Sequence, residues 1–87
     1  MIMKRFVYEI RDQLGIHARP AGLLAKEARK YKSRITIAAR GKSADATRLM
    51  AVMGMAVKCK DQVTVTCEGE DEETACRELQ AFFEANL

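Results

Sequence analysis

The chain has 87 residues, of which 48% are hydrophobic and 31% are charged, and its formal net charge at pH 7 is +3. This length and composition predict a single globular domain over residues 1–87 and exclude a disordered or fibrous protein. No apolar run approaches the roughly 20 residues that a transmembrane helix requires, so insertion into a membrane is not expected.

The first two predicted elements are a strand and a helix, joined by a short turn. Alternate residues near the N-terminus are apolar, as in a half-buried strand: Ile2, Phe6, Tyr8 and Ile10. After the turn of residues 12–15 the apolar spacing becomes helical: Ala21, Leu24, Ala28 and Tyr31. Pro20 suits the first turn of a helix, because the N–H that it lacks would be unpaired there. The first helix is therefore predicted from about residue 17 or 18 to about Tyr31.

The middle of the chain predicts a hairpin and a second helix. Apolar side chains alternate over residues 35–39 as in a strand, and the sequence Arg-Gly-Lys at 40–42 predicts a tight turn into a short third strand near residues 43–44. The Met-rich segment from Thr47 to about Val57 predicts a short helix. Val52, Met55 and Val57 suit its core side.

The C-terminal third predicts a fourth strand and a third helix. Val63, Val65 and Cys67 alternate with threonines, which is typical of a strand. Asp71 is predicted to cap the last helix, whose first turn also carries two glutamates that suit the positive end of the helix dipole. The apolar face of this helix comprises Ala75, Leu79, Phe82 and Phe83.

The predicted order of elements is βαββαβα. Connections this short do not suit a parallel sheet, because parallel neighbours require long crossovers. We therefore predict an α+β fold, with a four-stranded antiparallel sheet that carries all three helices on one face.

The cysteines and the charges indicate the environment of the protein. Cys59, Cys67 and Cys76 have neither CxxC nor Cys/His ligand spacing, which favours buried thiols and a reducing, cytoplasmic location over disulfides or a metal site. Basic residues dominate between residues 17 and 42, where Glu27 is the single acid, and acids dominate from Glu68 onward. A basic surface near the first helix would attract an anionic partner.

The segment most suited to chemistry is Gly-Ile-His-Ala-Arg-Pro-Ala at residues 15–21. His17 is the only histidine, and a neutral imidazole is a good nucleophile toward phosphorus. At a helix N-terminus, a phosphate on this ring would face the unpaired N–H groups of Ala18 and Arg19, and the Arg19 guanidinium could bind its oxygens. These residues alone leave two interpretations evenly balanced: a phosphate site, and a histidine that only caps the helix or faces solvent.

Several segments resemble the HPr family, the histidine-containing phosphocarriers of the bacterial phosphoenolpyruvate-dependent phosphotransferase system. They are LGIHARPA at 14–21, ITI at 35–37, GKSA at 41–44, LMAVM at 49–53 and VTCEGED at 65–71. The resemblance implies an open-faced β-sandwich, phosphorylation of His17 at Nδ1 and phosphate binding by Arg19. It also implies Enzyme I as the phosphoryl donor, IIA domains of sugar permeases as acceptors, and no metal or organic cofactor. The chain would then be a phosphoryl carrier and not a turnover enzyme.

The second predicted helix holds more apolar side chains than one core face can use. Leu49, Met50 and Met53 either complete an irregular core or form a docking surface, for which flexible methionines are well suited. The family resemblance favours docking, through the start of helix one and the apolar face of helix two. An ordinary solvated helix face is the alternative for Lys26 and Arg29. The expected contact surface comprises Arg19, Leu23, Lys26, Arg29, Leu49, Met50, Met53 and Gly54.

One position departs from the family pattern. Many HPr proteins carry a regulatory serine at the start of helix two, whereas Arg48 occupies the matching position here, with Ser43 and Thr47 nearby but out of register. Regulation through that serine is therefore not expected. Its absence leaves open an NPr-like carrier of the nitrogen-related regulatory phosphotransferase system.

Two further functions compete with the carrier. The basic stretch from Arg19 to Lys42 suggests a nucleic-acid-binding module, but Tyr31 is its only aromatic residue and no RNP- or KH-type motif is present. A small phosphatase would need an acid or base beside His17, and the sequence assigns no defined place to the nearest acids, Asp12 and Glu27. We therefore expect no nucleic-acid partner. We also expect a monomer, because a carrier exposes the same face to each partner in turn.

Overall fold

The elements of the protein follow the predicted order βαββαβα. A computed structural model describes residues 3–87, so Ile2 of the predicted first strand lies outside the described residues. The elements are β1 (Lys4–Glu9), α1 (Ala18–Ala28), β2 (Arg34–Ala39), β3 (Lys42–Asp45), α2 (Leu49–Gly54), β4 (Gln62–Glu68) and α3 (Glu72–Asn86). The strands form one sheet in the order β1-β4-β2-β3, and every neighbouring pair is antiparallel. The predicted α+β fold is confirmed.

The sheet has one covered face and one open face. Alternate residues of β1, β2 and β4 pack under the helices, and their partners on the helices include Leu24, Leu79 and Phe83. On the opposite face Val7 is 58% exposed, and threonines such as Thr64 are only half-buried although their strand is central. All three helices therefore lie on one side. The buried strand residues are Phe6, Ile35, Ile37, Ala39, Ala44, Val63, Val65 and Cys67.

The hairpin between β2 and β3 turns through two residues. Ala39 pairs with Lys42, and the two residues between them, Arg40 and Gly41, have φ angles of 50° and 78°. Two successive positive φ angles match the right-handed twist of the strands. The Arg40 side chain is held across the sheet end, because its guanidinium donates a hydrogen bond of 2.7 Å to the carbonyl of Ala56.

Both early helices are shorter than predicted. Helix α1 ends at Ala28, because the N–H groups of Lys30 and Tyr31 bond to carbonyls three residues back, in a tightening turn. Helix α2 ends at Gly54, because Ala56 has a φ of 53°, which no helix continues through. The predicted core residues of α2, Val52, Met55 and Val57, are buried. Only its length was predicted incorrectly.

Asp71 is the N-cap residue of α3, but its side chain does not cap the helix. Its carboxylate instead accepts hydrogen bonds from the backbone N–H of Lys32, and from the N–H and hydroxyl of Ser33, at 2.9, 2.9 and 2.5 Å. The hydroxyl of Ser33, aided by these N–H groups, holds the pKa of Asp71 below its ordinary value. The side chain thus ties the start of α3 to the loop before β2.

The cysteines are free thiols. Cys67 is buried in the sheet, and Cys59 and Cys76 are half-buried. Burial is the main reason that the pKa of Cys67 is raised to about 12, with the neighbouring Cys76 adding to the effect. Within residues 3–87, no helix combines the length and the apolar character needed to cross a bilayer. The same residues contain no group of three or more His, Cys, Asp or Glu side chains placed to hold a metal ion.

Candidate functional site

The turn between β1 and α1 is fixed by close packing against the loop after α2. Gly15 has a φ of +68°, and a Cβ atom added to it would lie 2.2 Å from the carbonyl oxygen of Val57. The next residue, Ile16, donates its N–H to that same oxygen at 3.0 Å. Glycine is therefore required at this position, and the approach of the two loops determines where His17 lies.

The other end of the turn is held by the end of α3. The backbone N–H groups of Arg11 and Asp12 both donate to the carbonyl oxygen of Leu87, at 2.6 and 2.8 Å. The carboxylate of Asp12 accepts the N–H of Leu14 at 2.9 Å through Oδ1, and its other oxygen, Oδ2, lies 3.7 Å from Nε2 of His17. The sequence assigns no defined place to Asp12, and the structure puts its carboxylate beside the imidazole.

His17 is the N-cap residue of α1. Its backbone is extended, with φ −89° and ψ −173°, its carbonyl accepts the N–H of Ala21 at 3.0 Å, and its side chain makes no capping hydrogen bond. The side chain is 36% exposed. The imidazole therefore does not cap the helix, and the partly exposed ring is accessible to a ligand or partner.

The first turn of α1 provides the donors that an anion needs. The N–H groups of Ala18 and Arg19 have no carbonyl four residues earlier within the helix. Pro20, which is buried, has no N–H to leave unpaired, and the side chain of Arg19 is exposed. A negative charge on His17 would thus meet backbone N–H groups, the positive end of the helix dipole and a guanidinium.

An open cavity of about 230 Å³ adjoins the imidazole. Its walls come from the β1–α1 turn, the start of α1 and the end of α3. The α3 contribution was not predicted, because nothing in the sequence relates the end of the last helix to a turn about seventy residues earlier. The lining residues are Asp12, His17, Arg19, Pro20, Leu23, Ala85 and Asn86.

Most residues of the expected contact surface have exposed side chains, and two also make contacts within the protein. Leu23, Lys26, Leu49, Met50 and Gly54 are exposed, and Met50 reaches 75%. An irregular core is therefore the wrong interpretation for Leu49 and Met50.

Two other residues of the expected contact surface bind within the protein. Met53 is half-buried against the core. The guanidinium of Arg29 donates to the carbonyl of Thr47 at 2.9 Å and so links the end of α1 to the start of α2.

Glu27 lies outside the site. Its carboxylate accepts hydrogen bonds from Lys30 at 3.0 Å and from the hydroxyl of Tyr31 at 2.8 Å. Burial by itself raises the pKa of Glu27, but the hydrogen bonds from Tyr31 and Lys30 outweigh it and lower the pKa below its ordinary value. Burial also raises the pKa of Tyr31, together with its hydrogen bonds to Glu27 and Glu78.

Arg48 is the N-cap residue of α2 and is exposed. Of the two hydroxyls nearby, that of Thr47 donates to Asp45 at 2.6 Å, and Ser43 lies on β3. The Thr47 hydroxyl and backbone N–H lower the pKa of Asp45. Positive charge therefore stands at the start of the exposed helix.

Comparison with known proteins gives concordant matches. Residues 4–85 match the family described as the PTS HPr component phosphorylation site. The phosphocarrier protein HPr of Mycoplasma capricolum is 41% identical over 78 residues, which are 90% of this chain and 88% of that protein. The HPr-like protein Crh of Bacillus subtilis is 36% identical over 79 residues, which are 91% and 93% of the two chains.

Solved structures show the same fold. The histidine-containing phosphocarrier protein of Mycoplasma superposes with a TM-score of 0.92 at 38% identity, over 94% of this chain and 93% of that one. HPr of Thermoanaerobacter tengcongensis gives a TM-score of 0.90 at 34% identity, over 95% and 93%. The chain therefore belongs to the HPr family of phosphocarriers of the phosphotransferase system.

Proposed function

We propose that His17 accepts a phosphoryl group at Nδ1 from phosphorylated Enzyme I and passes it to IIA domains of sugar permeases. The observation that carries this proposal is the position of His17 at the start of α1. It is the N-cap residue of this helix, but its side chain makes no capping hydrogen bond and is partly exposed. The similar proteins named above include the phosphocarrier protein HPr, which supports the sugar branch before the nitrogen-related one.

The chemistry is an exchange of N–P bonds. The lone pair of Nδ1 attacks phosphorus, and the electron pair of the donor's N–P bond returns to the donor. The phosphoryl oxygens then lie over the N–H groups of Ala18 and Arg19 and within reach of the Arg19 guanidinium. A shallow, open cavity suits transfer between proteins, because a partner can reach the ring directly. The protein acts as a carrier, with neither a cofactor nor turnover of its own.

The partners dock on the exposed residues of α1 and α2 around the cavity. Leu23, Leu49 and Met50 supply apolar contact, while Lys26 and Arg48 supply positive charge that speeds encounter with acidic partners. Arg29, Met53 and Gly54 complete the surface, Arg29 chiefly by holding α2 against α1. The interface is small and transient, and the working form is a monomer, although dimers are known for Thermoanaerobacter tengcongensis HPr and for Crh.

The first experiment is phosphorylation with Enzyme I and phosphoenolpyruvate, followed by mass spectrometry at alkaline pH. The parent protein should gain one acid-labile phosphate, and His17→Ala should gain none. Arg19→Ala should still accept phosphate, but at a lower rate. A parent protein that gains no phosphate, or a His17→Ala variant that gains it, contradicts the proposal. Transfer onward to a sugar-specific or a nitrogen-related IIA domain then separates the two branches.

The docking surface is tested with a matched pair of apolar truncations. Met50→Ala removes a side chain from the proposed surface, and Val7→Ala removes one that is similarly exposed on the open face of the sheet. Interface anchors cost more than about 1 kcal/mol when truncated, so Met50→Ala should raise the KM for Enzyme I about fivefold. Val7→Ala should leave it unchanged. Equal effects would place the docking surface elsewhere.

A further inference from the structure

The carboxylate of Asp12 lies beside the ring nitrogen of His17 that does not take the phosphate. Its Oδ2 atom is 3.7 Å from Nε2. We propose that Asp12 is a positioning residue that keeps the proton of the neutral imidazole on Nε2, so that Nδ1 presents its lone pair to phosphorus. This inference rests on the proposed function, which requires Nδ1 as the nucleophile.

Asp12 is anchored independently of the imidazole. Its N–H donates to Leu87 at 2.8 Å, its carbonyl accepts the N–H of Gly15 at 2.9 Å, and its Oδ1 accepts the N–H of Leu14 at 2.9 Å. These contacts leave Oδ2 as the oxygen that faces the ring. The carboxylate is therefore preorganised, and it needs no movement to act on His17.

A separation of 3.7 Å is too long for a hydrogen bond and short enough for an ion pair or a charge–dipole contact. A fixed negative charge at Nε2 favours the tautomer with its N–H on that side, and it disfavours the one with a lone pair there. A neutral imidazole has only one ring proton, so a proton on Nε2 leaves Nδ1 bare.

The step that follows is balanced without proton transfer. The Nδ1 lone pair forms the new N–P bond, and the electron pair of the old N–P bond stays with the donor nitrogen. The proton on Nε2 remains in place and faces Asp12 before and after transfer. Asp12 thus neither gives nor takes a proton, and it is not a general base.

The test uses the full chain labelled with ¹⁵N in histidine. Asp12→Asn and Asp12→Ser both keep an oxygen that can accept the N–H of Leu14 and remove the charge. Asp45→Asn is the matched control, since Asp45 accepts the N–H of Thr47 two residues on, also at 2.9 Å, in a different turn. Two-bond ¹H–¹⁵N spectra report the tautomer of His17 without any phosphorylation.

An exposed charge contact of this kind contributes up to about 1 kcal/mol, so the ratio of the Nε2–H to the Nδ1–H tautomer should fall about three- to fivefold in both Asp12 variants. It should be unchanged in Asp45→Asn. Single-turnover phosphorylation at saturating Enzyme I should slow in proportion to the loss of the Nε2–H form. The KM for Enzyme I, measured separately in steady state, should be unaltered.

An unchanged tautomer ratio in both Asp12 variants overturns the inference, and so does a transfer rate that does not follow the measured fraction of the Nε2–H form. Failure of the proposed function is a separate result, because it appears as a parent protein that takes no phosphate on His17.

Discussion

Substitution of Gly15 by alanine tests whether the approach of two loops holds the turn that precedes His17. The φ of +68° costs an alanine about 1–2 kcal/mol, because its Cβ crowds the backbone in the left-handed region. The new Cβ would also lie 2.2 Å from the Val57 carbonyl, and relief of that overlap costs about 1–3 kcal/mol. Loss of the Ile16 to Val57 hydrogen bond adds about 1 kcal/mol. We expect Gly15→Ala to lower the free energy of unfolding by about 3–6 kcal/mol.

Gly41→Ala is the control for this prediction. Gly41 has a φ of +78°, but a Cβ there would meet nothing within 4 Å, so only the left-handed conformation is penalised. Gly41→Ala should lower the free energy of unfolding by about 1–2 kcal/mol. In a domain of this size, Tm falls by about 4–8 °C for each kcal/mol lost. Urea and thermal unfolding measure both variants. Equal losses for Gly15→Ala and Gly41→Ala would refute the reasoning, since the contact with Val57 would then contribute nothing.

Three further predictions concern stability. Gly22→Ala should stabilise the protein to urea by about 1 kcal/mol, because Gly22 is inside α1 and a Cβ there meets nothing within 4 Å. Phe83→Ala should destabilise it by about 3–5 kcal/mol in the same assay, because the ring is fully buried and makes edge-to-face contacts with three other aromatic rings. The pKa of Asp71 is lower in the folded than in the unfolded chain, so its stabilisation is complete well above the ordinary value of about 4 and is lost as the pH falls through the folded pKa. Urea unfolding between pH 5 and pH 2 should therefore show a flatter pH dependence for Asp71→Asn than for the parent.

Elements with strong periodicity were predictable because their signal is local. Alternation over residues 63–67 and helical spacing at Ala75, Leu79 and Phe83 identified the buried face of each element, and these residues are buried. The end of α2 was not predictable, because it depends on Ala56 adopting a positive φ and not on a glycine or proline. The carbonyl of Ala56 accepts a hydrogen bond from the side chain of Arg40, which lies in the turn between β2 and β3.

The same distinction applies to the site. His17 and Arg19 could be selected from the sequence because a single histidine, an arginine and a proline at the start of a helix are compatible with a phosphate site, and the family resemblance favours that interpretation. Asp12 could not, because its contact with the imidazole requires a left-handed Gly15 packed against Val57, about forty residues later. Asp71 was correctly predicted as the residue at the start of α3. Its carboxylate, however, binds Ser33 in the loop before β2 and does not cap the helix. Side chains with several available partners are resolved only by tertiary structure.

Helices α1 and α2 are joined at both ends. Ile16, just before α1, bonds to Val57 after α2, and Arg29, just after α1, bonds to Thr47 before α2. These two hydrogen bonds hold the helices together. On α2, Val52 packs into the core, whereas Leu49 and Met50 project outward. Substitution of Leu49 or Met50 should therefore leave the position of His17 unchanged, because neither side chain takes part in the contacts that join the two helices.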